Sequence, residues 1–200
     1  MTLSEMVEAL RRAHVRTLLV QTDGKVQADA TVRGTILAGA FNPLHAGHRN
    51  LLEAARAHSG LPPYFELSVV NADKGTLETG EVLRRSEQFA GRHALLLSRE
   101  PLFTTKAERY PGSMFVVGYD TAIRLVAPRY YNGAAGMQAA FERVRRTGCR
   151  FIVAGRLHQG RFRTLQDIEM PAEIAECFIE LPDFRVDLSS TELRQKTSNE

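Results

Sequence analysis

The amino-acid sequence predicts an α/β fold, an open and doubly wound sheet of parallel strands with helices on both faces. Three observations carry this expectation. Apolar runs recur at 35–39, 64–70, 93–98, 114–118 and 149–155. Segments of helical periodicity separate them. The runs also lack polar alternation, which suits strands covered on both sides, as a parallel sheet requires. Right-handed crossovers between such strands then distribute the helices over the two faces.

Each element can be justified in order. "MTLSEMVEALRRAH" places Leu3, Met6, Val7 and Leu10 on one helical face. Glu5 and Glu8 interrupt its apolar character, so it is not a secretory leader. "TLLVQTDGKVQADATV" holds two apolar stretches around Asp23-Gly24, a hairpin turn. Residues 1–32 thus read as an N-terminal extension, helix plus hairpin, and 33–200 as one α/β domain. A helix over 45–58 follows the first strand, with His48, Leu51, Leu52 and Ala55 on one side, and Gly60 ends it before Pro62-Pro63. The second strand leads through a polar loop with Lys74 to a helix in "EVLRRSEQFAG". Beyond the third strand lies "LFTTKAERYPG". The fourth strand feeds a helix in "DTAIRLVA" that Pro128 closes. "YYNGAAG" reads as a loop, 136–148 as a helix, and "EIAECFIEL" and "DLSSTELRQK" complete the chain.

Composition narrows the function. Of 200 residues, 44% are hydrophobic and 24% charged, an ordinary globular balance. The formal charge of +3 comes from arginines spread through the chain. That suits phosphate-bearing small molecules at least as well as nucleic acid, and no nucleic-acid partner is expected. Two cysteines without a CxxC spacing, Cys149 and Cys177, favour neither a disulfide framework nor a zinc site. No apolar run approaches the ~18 residues that cross a bilayer. A cytoplasmic protein without membrane attachment is the expectation, and a homo-oligomer is left open.

Ligands of open α/β sheets sit beyond the carboxyl ends of the strands. "GAFNPLHAGH" occupies the first such position. Gly39 permits close backbone approach, and Pro43 fixes the chain before the helix. His45 and His48, three apart, share a helix face at an amino end that offers free N–H groups and the positive end of the dipole. Two imidazoles there can donate hydrogen bonds to phosphate oxygens as charge builds. The bland alternative is a helix cap with a surface histidine. Far along the chain, "DLSSTELRQ" opens another helix, with Ser189 and Glu192 as a capping box. Ser190, Thr191 and Arg194 can grip a polyphosphate from its amino end, or can simply make a well-capped terminal helix.

These two stretches resemble the signatures of the HxGH nucleotidyltransferase superfamily, closest to nicotinamide mononucleotide adenylyltransferase-like proteins. The resemblance spans about 35–196. It implies a Rossmann-like fold and transfer of an adenylyl group from ATP to a phosphorylated acceptor, with release of pyrophosphate. Nicotinamide or nicotinate mononucleotide is the acceptor it favours. His45, His48 and Arg194 become the catalytic residues. Gly39, Ala40, Phe41, Asn42, Ser190 and Thr191 become nucleotide contacts. Lys74, Thr104, Thr105, Gly118, Asp120 and Arg156 become acceptor contacts. Mg²⁺ is implied as a cofactor held mainly by substrate phosphates, without a protein metal site. Lys74 lacks the family's "PHK" setting, and Asp120 could equally cap a helix starting at Thr121. The chain has no tryptophan, so Phe103, Tyr119 or another aromatic must replace the family's stacking ring. Transfer to another phosphorylated acceptor, use of CTP, and an inactive nucleotide-binding module are the alternatives.

Overall fold

A computed structural model describes residues 1–71, 75–158, 160–182 and 184 of the chain. Lys74, Ser190, Thr191 and Arg194 lie outside the described residues. The chain runs α1 (Leu3–Arg11), β1 (Thr17–Val20), β2 (Val26–Ala28), β3 (Thr35–Ala38), α2 (Ala46–Ser59) and β4 (Pro63–Ser68). The short strands β5 (Val70–Asn71) and β6 (Gly75–Thr76) precede α3 (Thr79–Ser86), β7 (Leu95–Ser98), α4 (Phe103–Arg109) and β8 (Met114–Gly118). Then come α5 (Tyr119–Leu125), α6 (Ala134–Arg146), β9 (Arg150–Ala154), β10 (Arg156–His158), β11 (Arg161–Arg163), α7 (Ala172–Ala175) and β12 (Phe178–Leu181).

One eight-stranded sheet, mostly parallel, organises the molecule in the order β12-β9-β8-β3-β4-β7-β1-β2. From β12 to β7 every neighbouring pair is parallel. Numbered along the chain, these parallel strands lie 6-5-4-1-2-3 across the sheet. The chain builds outward from β3 through β4 to β7, then returns to lay β8 on the other side of β3. That reversal leaves a crevice beyond the carboxyl ends of β3 and β8, where open sheets receive ligands.

Each sequence-predicted strand is present, and their side chains divide between two buried layers. Leu37, Phe65, Leu67, Leu95, Leu97, Val116 and Ile152 pack with Val7, Leu10, Leu52, Ala55 and Val82 of α1, α2 and α3. Ile36, Leu96, Phe115, Val117, Phe151 and Val153 pack with Ala107, Ala122, Met137 and Phe141 of α4, α5 and α6. Consecutive strand residues therefore face opposite layers, the period of two that a strand imposes. The sheet also holds a sixth parallel strand, β12, inside "EIAECFIEL", which the sequence pattern did not isolate. "YYNGAAG", read as a loop, opens on the last residue of a 3-10 turn (Pro128–Tyr130), turns at 131–133 as expected, and ends in the first three residues of α6, Ala134–Gly136.

The N-terminal helix and hairpin occur as expected, with Gly24 at φ +83° in the turn. They do not stand apart from the sheet. β1 pairs antiparallel with β7, from Thr17 opposite Ser98 to Val20 opposite Leu95, and β2 pairs with β1. One buried ion pair ties α4 to the sheet. Lys106 Nζ donates to both carboxylate oxygens of Glu66 at 2.6 Å, and Ser98 Oγ donates to the same carboxylate at 2.5 Å. Both charged side chains are almost wholly excluded from solvent.

Candidate active site

The turn between β3 and α2 is built around an inward-pointing aromatic ring. Phe41 adopts φ +45°, in the left-handed region where a residue with a Cβ is uncommon. This turns its side chain into the core, 2% exposed. There it meets Phe65 and Phe89 edge-on, ring centres 5.3 Å apart in each case. A Cβ on Gly39 would lie 2.8 Å from the Phe41 ring. Gly39 is thus required for packing this ring, a different reason from the ligand approach that the sequence suggested.

Above Phe41 stand the two histidines. His45 is the N-cap of α2, with extended backbone at φ −135° and ψ 172°. Its ring stacks on that of His48, centres 3.7 Å apart and planes 23° from parallel. His48 meets the Phe41 ring edge-on at 5.2 Å. The His45 backbone N–H points to His48 Nδ1 at 3.4 Å, so Nδ1 is the accepting nitrogen and the ring proton resides on Nε2. Burial, then the neighbouring His45 and Arg49, pull the His48 pKa down to about 4. Burial and Arg49 also lower His45. At neutral pH both rings are uncharged in the ligand-free protein. His48 is then a fixed neutral donor at a helix amino end, a place that favours anions.

The other sequence-selected residues sort into three groups. Ala40, Phe41 and Asn42 form the turn, and three of their oxygens are held by neighbouring side chains. The Ala40 and Phe41 carbonyls and the Asn42 side-chain oxygen accept hydrogen bonds from Arg85, Gln88 and Arg84. On the acceptor side, Asp120 and Arg156 form an ion pair with each other. Gly118 is the N-cap of α5, which starts at Tyr119. Asp120 therefore sits within the first turn and does not cap a helix beginning at Thr121. Space is open where a Cβ on Gly118 would lie.

Thr104 and Thr105 are separated. Thr104 lines a cavity of about 400 Å³ with Phe103, Thr121, Arg124, Tyr130 and Tyr131. Thr105 borders a different cavity with Arg16 and Arg109, and its hydroxyl donates to the Leu102 carbonyl at 2.9 Å. Of the aromatics proposed to replace a tryptophan, Phe103 lines the larger cavity, whereas Tyr119 is buried at 6% exposure. Tyr130 and Tyr131 are further aromatics in that wall, and sequence reasoning missed them. A Cβ on Gly136 would lie 1.9 Å from the Tyr131 carbonyl oxygen, so only glycine lets α6 begin against this residue. Also missed were Arg84, Arg85 and Gln88. Their i, i+1, i+4 spacing in "RRSEQ" was a legible signal of one polar helix face.

Among the described residues, no group of three or more His, Cys, Asp or Glu side chains could hold a metal ion, and no helix is long and apolar enough to cross a membrane. No protein-family model matches the chain, and no curated protein matches it.

Proposed function

We propose that this chain is a Rossmann-like nucleotidyltransferase that moves an adenylyl group from ATP to a phosphorylated acceptor and releases pyrophosphate. The supporting observation is the stacked His45–His48 pair at the amino end of α2, beside the crevice where the strand order reverses. In this reading the acceptor phosphate attacks the α-phosphorus of ATP in line, and the bond to pyrophosphate breaks without a covalent protein intermediate. Such transfer depends on positioning and charge stabilisation. His48 donates from Nε2 to an α-phosphate oxygen as its charge grows, and His45 holds the α oxygens or the β side. Ser190, Thr191 and Arg194 take the β- and γ-phosphates. In this reading Mg²⁺ would be held mainly by the substrate's own phosphates and would offset their charge. The cavity beside Thr104, walled by Tyr130 and Tyr131, is of a size to receive the acceptor's ring. Arg156 and Asp120 are placed in this reading at the acceptor's phosphate and ribose, and Lys74 at a phosphate. Nicotinamide or nicotinate mononucleotide is the preferred acceptor, and the cytoplasm the preferred setting.

The test is pyrophosphate release from ATP and Mg²⁺ against nicotinamide mononucleotide, nicotinate mononucleotide and phosphopantetheine. Release that depends on one of the mononucleotides supports the reading. Tight ATP binding with no release on any acceptor would replace it with a nucleotide-binding module.

A further inference from the structure

We propose that α1 and α3 together brace the histidine turn, with Arg85 and Gln88 as positioning residues for His45 and His48. The inference rests on the adenylyl-transfer reading for its activity readout, but its geometry is independent of any substrate. Two side chains of α3 and one of the 3-10 turn that follows it (Glu87–Phe89) reach the turn. Gln88 spans it: its Nε2 donates to the Phe41 carbonyl at 2.9 Å while its Oε1 accepts from the Leu44 N–H at 2.7 Å. Arg85 Nη1 donates to the Ala40 carbonyl at 2.9 Å, and Arg84 Nη2 donates to Asn42 Oδ1 at 2.9 Å. Glu81, one turn earlier, holds the forks of both arginines, at 2.7 Å from Arg84 and 2.6 Å from Arg85. Residues 40, 41, 42 and 44 are therefore all held from α3 and its 3-10 extension, immediately before His45.

The start of α3 is in turn held by the N-terminal helix. Arg11 donates to the Leu77 carbonyl at 2.7 Å and to Thr79 Oγ1 at 3.0 Å, and pairs with Glu78 and Glu8 at 2.9 Å. Thr79 Oγ1 donates to Glu8 at 2.7 Å, and Val7, Leu10 and Val82 share one buried layer. α3 is thus held at its start by Glu8 and Arg11 and at its other end holds the turn that carries the histidines. The brace gives residues 1–32 a part in the site although no side chain there reaches it.

Variants Gln88→Leu, Arg85→Leu, Arg85→Lys, Arg84→Gln and Arg11→Ala test this, each checked for a wild-type melting temperature. Loss of a positioning contact is expected to lower kcat by ~10- to 100-fold for Gln88→Leu, the scale of a small misplacement of catalytic groups. The KM for ATP should change far less. The His48 titration, followed by NMR, should move up from about 4 toward 6.5 as the turn loosens from its buried packing beside His45 and Arg49. Arg85→Lys, which keeps a donor for the Ala40 carbonyl, should retain most of what Arg85→Leu loses. Arg11→Ala should shift both readouts in the same direction by a smaller factor. Arg84→Gln, on the surface, decides the matter if Gln88→Leu does not fold. Folded variants with wild-type kcat and an unmoved His48 titration would overturn the brace. If the wild-type protein transfers nothing to any acceptor, the adenylyl reading fails, while the His48 titration still decides the brace.

Discussion

The histidine turn and the cavity beside Thr104 are built on opposite plans. In the turn, backbone carbonyls, an amide N–H and the Asn42 side chain are all engaged by α3 and its 3-10 extension, and the Phe41 ring fills the space beneath. The cavity has a packed floor at Phe103 but exposed edges, with Leu102 at 54% and Tyr130 at 57% exposure. Groups that must meet growing charge gain from being fixed before the ligand arrives. Walls that read a ligand's shape can finish their packing around it. The contrast therefore suggests where reaction chemistry and acceptor choice reside in the proposed enzyme, and substitutions can separate them.

The strongest perturbation should be one to the scaffold that carries both regions. Lys106→Met leaves the Glu66 carboxylate buried without its cation, and breaking such a pair costs about 3–5 kcal/mol. Urea unfolding should report a loss of that order, and a loss near zero would mean that the pair contributes little to holding α4 on the sheet. Next is the turn alone. His48→Ala should lower kcat by ~10²-fold or more, the scale of removing one transition-state donor. Activity within twofold of wild type would remove His48 from the chemistry. The cavity wall should behave differently: Tyr130→Ala is expected to raise the acceptor KM by ~10-fold, about one good aromatic contact, and to spare kcat. A matching fall in kcat would erase the distinction between the two regions.

A separate effect concerns pH. His48 takes up a proton near 6.5 when unfolded and near 4 when folded. Between those values the unfolded chain binds more protons, so folding stability declines as pH falls through the window. Above 6.5 both states are neutral and the contribution is flat. His48→Gln should flatten the decline between pH 6.5 and 4 in urea titrations. An identical slope in the variant would argue against the buried, neutral ring.

Much of this arrangement was legible in the sequence because local patterns determine it. Buried strands announce themselves as apolar runs, and a glycine-proline-histidine cluster after a strand marks a helix start. The strand at Phe178–Leu181 was harder to see, since a four-residue run with Glu180 inside it carries little periodicity. Long-range pairs escaped altogether. Nothing local says that Arg85 will find Ala40, or that Arg156 will find Asp120 across 36 residues. The packing reason for Gly39 was not legible, because the ring it accommodates is two residues away in sequence and points inward only through an uncommon backbone angle. The segment with Ser190, Thr191 and Arg194, which the sequence leads one to expect at the phosphates, lies outside the described residues.

The antiparallel ribbon of β1 and β2 has a consequence for how the chain can be cut. β7 is buried along its whole length, and β1 satisfies its outer row of backbone groups. Trimming the chain back to the parallel strands would uncover Leu95, Leu96 and Leu97 as a bare apolar edge, the kind of template on which molecules add to one another. The three-residue β2, with Gln27 and Ala28 facing solvent, is a poor seed for such growth. The opening residues thus act as a selvage that keeps the sheet from extending into its neighbours.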